Sequence, residues 1–185
     1  EGANEGVRPG VVAEGESRLG CEFLDGAAEL ALLQGLLVDG ELHASPTPGP
    51  PHVESNVVIG GHLVPPFHQG RGGPGGWRIL SEPEIHLGAD VVVPDWAGWR
   101  RERLPHRPET AYYPLAPDWV CEILSPSTTS LDRGKKLAIY AREGVSHAWL
   151  IDPLACTLEV LRLENGRWSL LGTHVGDEIV RAEPF

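Results

Sequence analysis

Residues 118–151 constrain the fold of this chain more than any other stretch. Trp119, Val120, Cys121, Ile123 and Leu124 form an apolar run with the length and composition of a buried strand, and "SHAWLIDP" at 146–153 forms another. Between them lie a Ser-Pro-Ser-Thr-Thr-Ser turn and a helix predicted from about 130 to 143. A strand, a helix and a strand in that order close as a right-handed crossover with parallel strands, which places the chain in the α/β or α+β class on a mixed β-sheet flanked by helices. One residue conflicts with the pattern. Glu122 puts a carboxylate in the middle of the first apolar run, and such a group is costly to bury unless it is paired.

The rest of the chain supplies the surroundings of this unit. Residues 1–37 read as an N-terminal segment of uncertain order, in which "EFLDGAAELALLQGLL" (22–37) has the Ala/Leu content of a short helix. "VDGELHASPTPGPPH" (38–52) reads as a turn and then a Pro-rich loop, followed by a helix that must stop at Pro65 and Pro66. The glycine-rich "HQGRGGPGGW" (68–77) lacks the lysine and hydroxyl of a phosphate-binding P-loop and reads as a connection. "WRILSEPEIHLG" (77–88) and the Val-rich "ADVVVPDWAGW" (89–99) read as strands, the second closing on Pro94 and Asp95. After the crossover unit, 157–166 and 167–180 form a C-terminal β-hairpin about Asn165-Gly166. The sequence contains no methionine, so the chain reads as trimmed or as a fragment.

Asp95, at a strand end, and Glu122, inside a neighbouring strand, offer two converging carboxylates. Hard divalent cations such as Mg²⁺ or Mn²⁺ prefer such oxygen ligands and keep several waters, and the main-chain carbonyl of Ile123 is placed to add a third ligand. The helical register puts Lys136 and Tyr140 on one face at i and i+4. In phosphodiester hydrolysis a metal in this position polarises the phosphate, while a lysine ammonium positions the water or offsets transition-state charge.

Together "VVVPD", "APDWVCEILSPST" and "DRGKKLAIYAREGVSHAWLIDP" resemble the signature of the Uma-type restriction endonucleases, a bacterial branch of the PD-(D/E)XK nuclease superfamily. The resemblance spans roughly residues 38–180. It implies a restriction-endonuclease-like core over 38–185 that cleaves nucleic acid, most naturally DNA, with a divalent metal. By motif, Asp95 matches the aspartate of the "PD" element and Glu122 the acid of the next strand. The family lysine that ordinarily follows that acid by two residues falls on Leu124, and Lys136 of the helix matches it in this branch. Asp132, Tyr140 and His52 match further family positions, Asp132 to cap or orient the helix, Tyr140 to pack beside the lysine, and His52 in a structural or substrate-side role. The family usually has a glutamate four residues before the Gly of the "DGEL" turn, where this chain has Leu36; Glu41 and Glu54 are candidate replacements.

Other chemistries are less well represented. Ser125, Ser127 and Thr128 lack the Gly-x-Ser-x-Gly setting of a nucleophile, and the histidines show no zinc-hydrolase spacing. Cys21, Cys121 and Cys156 read as reduced core residues. The net charge of −11 alone argues against nucleic-acid binding, but nine acids against two arginines lie in residues 1–45, whereas 100–145 hold eight bases against six acids. In "WAGWRRERLPHR" the side chains of Trp99, Arg100, Arg101 and Arg103 are candidate nucleic-acid contacts, the indole stacking and the arginines meeting phosphates. With no apolar stretch of membrane-spanning length and no signal-like start, the expectation is a cytoplasmic protein with no membrane partner. Cutting both strands of a duplex would suit a homodimer. A catalytically inactive module that binds nucleic acid or protein on the same scaffold is the alternative reading.

Overall fold

The computed structural model describes residues 17–18, 34–38, 40–45 and 47–185. Its elements follow as β1 (Ser17–Arg18), β2 (Gln34–Val38), β3 (Glu41–Ser45), α1 (Pro50–Leu63), β4 (Trp77–Ser81), β5 (Ile85–Leu87), β6 (Asp90–Val92) and β7 (Trp96–Arg100). Then come β8 (Trp119–Ile123), α2 (Leu137–Arg142), β9 (His147–Asp152), β10 (Thr157–Glu164), β11 (Arg167–Val175) and β12 (Ile179–Val180). A π-helical turn, Val64–His68, extends α1, and another, Leu131–Lys136, leads into α2. The chain is thus α+β.

The main sheet has the strand order β11-β10-β9-β8-β7-β4. Only β8 and β9 are parallel, joined through α2 as the strand-helix-strand pattern requires. The other pairs are antiparallel, including β10 and β11 about Asn165 and Gly166, which both take positive φ as a tight hairpin turn demands. A second sheet, β3-β2-β6-β5, contributes to the core on one face of the first.

Alternation along β8 divides the core in two. Trp119, Cys121 and Ile123 join one cluster with Trp96, Trp149 and Ile151, closed by Ile59 and Leu63 of α1 and by Phe67. Gly60 permits this approach, because a Cβ there would lie 2.8 Å from the Trp96 ring. Val120 and Leu124 join the other cluster with Ala148 and Leu150, closed by Leu137, Ile139 and Tyr140 and by Leu36, Val38 and Val92 of the second sheet. Glu122 shares the face of Val120 and Leu124. It is therefore the one carboxylate under α2 on a strand buried at every position.

Several local expectations are corrected. Residues 34–37 are strand and not helix, because Gln34–Val38 pairs with Glu41–Ser45 about Gly40, whose φ of +78° makes the turn. Tertiary pairing overrides the Leu-rich propensity there; residues 22–33 of that expected helix lie outside the described residues. The segment after the turn is strand over 41–45 rather than loop. The apolar run 77–88 breaks at Glu82, whose φ is +48°, and at Pro83, so β4 and β5 enter different sheets. The run 89–99 breaks likewise, leaving Pro94 and Asp95 between β6 and β7. Pro65 and Pro66 do not end the helical path but widen it into a π turn. Cys156 is disulfide-bonded, not reduced, with a partner outside the described residues, while Cys121 is a free buried thiol.

Candidate active site

Asp95 immediately precedes β7, where Trp96 pairs with Cys121 of β8. Its carboxylate replaces a backbone acceptor at the end of that ladder, with the Ile123 amide donating to Oδ2 at 2.6 Å. Its other oxygen, Oδ1, lies 3.0 Å from Nε2 of His52, in the first turn of α1. Asp95 is thus fixed from two sides, by a strand backbone and by a helix. Ile123 enters the site through its amide.

Glu122 projects from β8 on the face of Val120 and Leu124, under α2, close enough for the Asp95 charge to act on it, and is 1% exposed. Lys136 Nζ donates to its Oε2 at 2.9 Å, and the Tyr140 hydroxyl donates to Oε1 at 2.6 Å. The i,i+4 pair expected on the helix does face the strand carboxylate. Asp132 Oδ1 also lies 2.9 Å from Lys136 Nζ. That contact is an ion pair with poor hydrogen-bond geometry, and Oδ1 is buried with no other donor. Asp132 therefore partners Lys136 instead of capping the helix, whose N-terminus has no side-chain cap.

The charges in this pocket do not balance. Burial, with repulsion from Asp132 and Asp95, pushes the Glu122 carboxyl up to about 8, and attraction to Lys136 offsets only part of this. Burial alone would lower the Lys136 ammonium, but Glu122 and Asp132 outweigh it and hold the lysine protonated above its ordinary range. Burial and the Glu122 charge also push the Tyr140 hydroxyl up, so it remains a neutral donor. Three carboxylates around one ammonium form a pocket that attracts a further cation or a proton. Among the described residues no three His, Cys, Asp or Glu side chains are grouped as metal ligands. Asp95 and Glu122 are the carboxylate oxygens that this pocket offers to a hard cation.

The family model of Uma2, described as "Putative restriction endonuclease", matches residues 33–185. The chain belongs to the Uma2 family. Its fold is similar to a solved structure described as "a putative nuclease belonging to DUF820 from Anabaena variabilis ATCC 29413", with 26% identity, a TM-score of 0.58, and coverage of 78% of this chain and 76% of that one. No curated protein matches. Both descriptions support nuclease chemistry for this Uma2 chain.

Other residues singled out from the sequence are placed differently. Leu36 is buried in the same apolar cluster as Tyr140, and the candidate replacement Glu41 is exposed and bonded to Lys135 at 2.8 Å. Glu54 lies half-buried in α1. The hydroxyls of Ser125, Ser127 and Thr128 bond one another in the turn after β8. Trp99 does not fit a base-stacking role: it is fully buried, its indole donates to the Leu115 carbonyl at 2.9 Å and its ring stacks on Tyr113. Its inward direction follows from strand alternation, which the neighbouring arginines obscured.

Arg100, Arg101 and Arg103 are exposed, but each has a protein partner. The Arg100 guanidinium lies 4.0 Å from the centre of the Trp77 ring, Arg101 donates to the His68 carbonyl, and Arg103 pairs with Asp118 at 2.7 Å. They sit at the end of β7 remote from Asp95. Five residues at about 3.3 Å each put about 16 Å between them. The basic loop follows Asp95 in sequence yet lies at the opposite end of its strand.

Proposed function

We propose that this chain is a divalent-metal-dependent endonuclease of the PD-(D/E)XK type, hydrolysing phosphodiester bonds of nucleic acid, with DNA as substrate. The observation that carries the reading is the buried Glu122–Lys136 pair close to Asp95, an acidic pocket whose carboxyl at Glu122 is pushed up to about 8. Structural ion pairs seldom leave such an excess of one charge inside a core, whereas functional sites often do.

In this reading Asp95, Glu122 and the Ile123 carbonyl would hold Mg²⁺ or Mn²⁺. Such an ion would supply polarisation of the scissile phosphate and a lowered pKa for the attacking water. Lys136 orients that water and offsets charge growing on the phosphate oxygens. Tyr140 holds the second oxygen of Glu122, and His52 holds Asp95 against the end of β8. Arg100, Arg101 and Arg103 meet the substrate backbone away from the cut, an electrostatic contact without base selection. The protein works in the cytoplasm, and a two-fold dimer would let it cut both strands.

A second reading, an inactive nuclease-fold module that binds nucleic acid or protein, draws on two observations. Every carboxylate oxygen of Asp95 and Glu122 already has a protein partner, and Leu36 stands where the resemblance places a glutamate. Incubating the protein with supercoiled plasmid, and separately with structured RNA, in Mg²⁺, Mn²⁺ or EDTA separates the readings. Metal-dependent nicking of plasmid supports the nuclease; retention of DNA in a shift assay with no cleavage in either metal supports the inactive module.

A further inference from the structure

Lys136 is shared by two carboxylates, and only one of them belongs to the site just proposed. Its Nζ lies 2.9 Å from Glu122 Oε2 and 2.9 Å from Asp132 Oδ1. Each Glu122 oxygen already accepts one donor, Oε2 from Lys136 and Oε1 from Tyr140, which leaves one lone pair on each. A divalent ion on Glu122 would lie beside the Lys136 ammonium, and repulsion between the two cations favours release of the ammonium from that carboxylate. Tyr140 is a fixed core residue and a neutral donor, compatible with a cation on the other oxygen. Lys136 is a cation and competes with the ion directly. A buried ammonium with no anionic partner costs several kcal/mol, so its release depends on a second acceptor. Asp132 Oδ1 is that acceptor: it is buried, one helical turn before Lys136, and has no other donor.

We propose that Asp132 is a positioning residue that retains Lys136 inside the pocket when Glu122 exchanges the ammonium for a divalent ion. The inference rests on the nuclease reading above and assigns Asp132 no contact with metal or substrate. It accounts for two carboxylates around one lysine, where a structural ion pair would need only one. It also explains why the π turn matters: Leu131–Lys136 carries both Asp132 and Lys136 inward on the strand side, both nearly inaccessible to solvent.

Titration of Mn²⁺ into the full chain, by calorimetry or by the electron spin resonance of free Mn²⁺, tests this in a double-mutant cycle. Asp132→Asn should weaken Mn²⁺ binding at least tenfold. In the Lys136→Gln background, where no ammonium needs a second partner, the same substitution should change binding less than about threefold, and Lys136→Gln alone should bind at least as tightly as wild type. An unchanged affinity for Asp132→Asn overturns the proposal. So does an equal loss in both backgrounds, which would make Asp132 a ligand or a source of general field. A wild-type protein that binds no Mn²⁺ overturns the nuclease reading and this inference with it. If Asp132→Asn melts below the assay temperature, Lys136→Gln decides alone: weaker Mn²⁺ binding than wild type contradicts competition between ammonium and ion.

Discussion

The Lys136 ammonium meets the Glu122 carboxylate at 2.9 Å, with both side chains almost wholly removed from water. Breaking such a pair from the lysine side leaves an uncompensated buried charge, at a cost of about 3–5 kcal/mol. Glu122 has a way to avoid that cost at low pH, because it can take a proton. Lys136→Met should therefore destabilise the protein more at pH 9 than at pH 6, by at least about 1 kcal/mol in urea unfolding. Equal losses at the two pH values would show that Glu122 does not sense the lysine.

Glu122 itself makes stability depend on pH. Its carboxyl titrates near its ordinary value of 4.5 when unfolded and at about 8 in the native chain. Between those values the native state binds the extra proton, so this contribution is complete below pH 4.5 and is lost as pH rises through 8. Without divalent metal, Glu122→Gln should flatten the fall of Tm between pH 5 and pH 8.5. Parallel Tm profiles for the variant and the wild type would contradict the assignment.

How much of this was legible in the sequence differs from element to element. β8, α2 and β9 declare themselves because short apolar runs bounded by turn signals read as buried strands, and because a helix between two such strands favours one right-handed crossover. The facing of Lys136 and Tyr140 toward Glu122 follows from the same register. β2 was hidden, since Leu-rich residues favour a helix until the partners at Glu41–Ser45 and at Val91 are known. The ion pair of Asp132 was overlooked, because an aspartate near a helix start reads as a cap, although its i,i+4 spacing to Lys136 offers the contact on any helix.

Trp99 offers a test of the corrected placement. Because it is core and not surface, Trp99→Ala should cost about 3–5 kcal/mol of stability. A variant that keeps wild-type stability while losing DNA affinity would restore the stacking role.

The arginines at the far end of β7 make the opposite prediction. Replacing Arg100, Arg101 and Arg103 together by alanine should weaken DNA binding, and should reduce the slope of log K against log salt by up to about 3 if all three meet phosphates. An unchanged slope in a filter-binding series would remove them from the interface.

His52 holds one oxygen of Asp95 at 3.0 Å. Supporting residues of this kind typically contribute about 10–100-fold to metal affinity or activity. His52→Ala should lower the metal-dependent nicking rate within that range, with a loss of stability of about 1–3 kcal/mol. Full cleavage by a folded His52→Ala protein would reduce the contact to a structural one.

Nicking of supercoiled plasmid by wild type, Asp95→Asn and Glu122→Gln, in Mg²⁺ or Mn²⁺ and matched for folded protein, tests the central claim most directly. Both substitutions keep the shape of the side chain and remove its charge. The account predicts metal-dependent nicking by the wild type and at least a hundredfold slower nicking by each variant. Nicking that persists at the wild-type rate in both variants would contradict it.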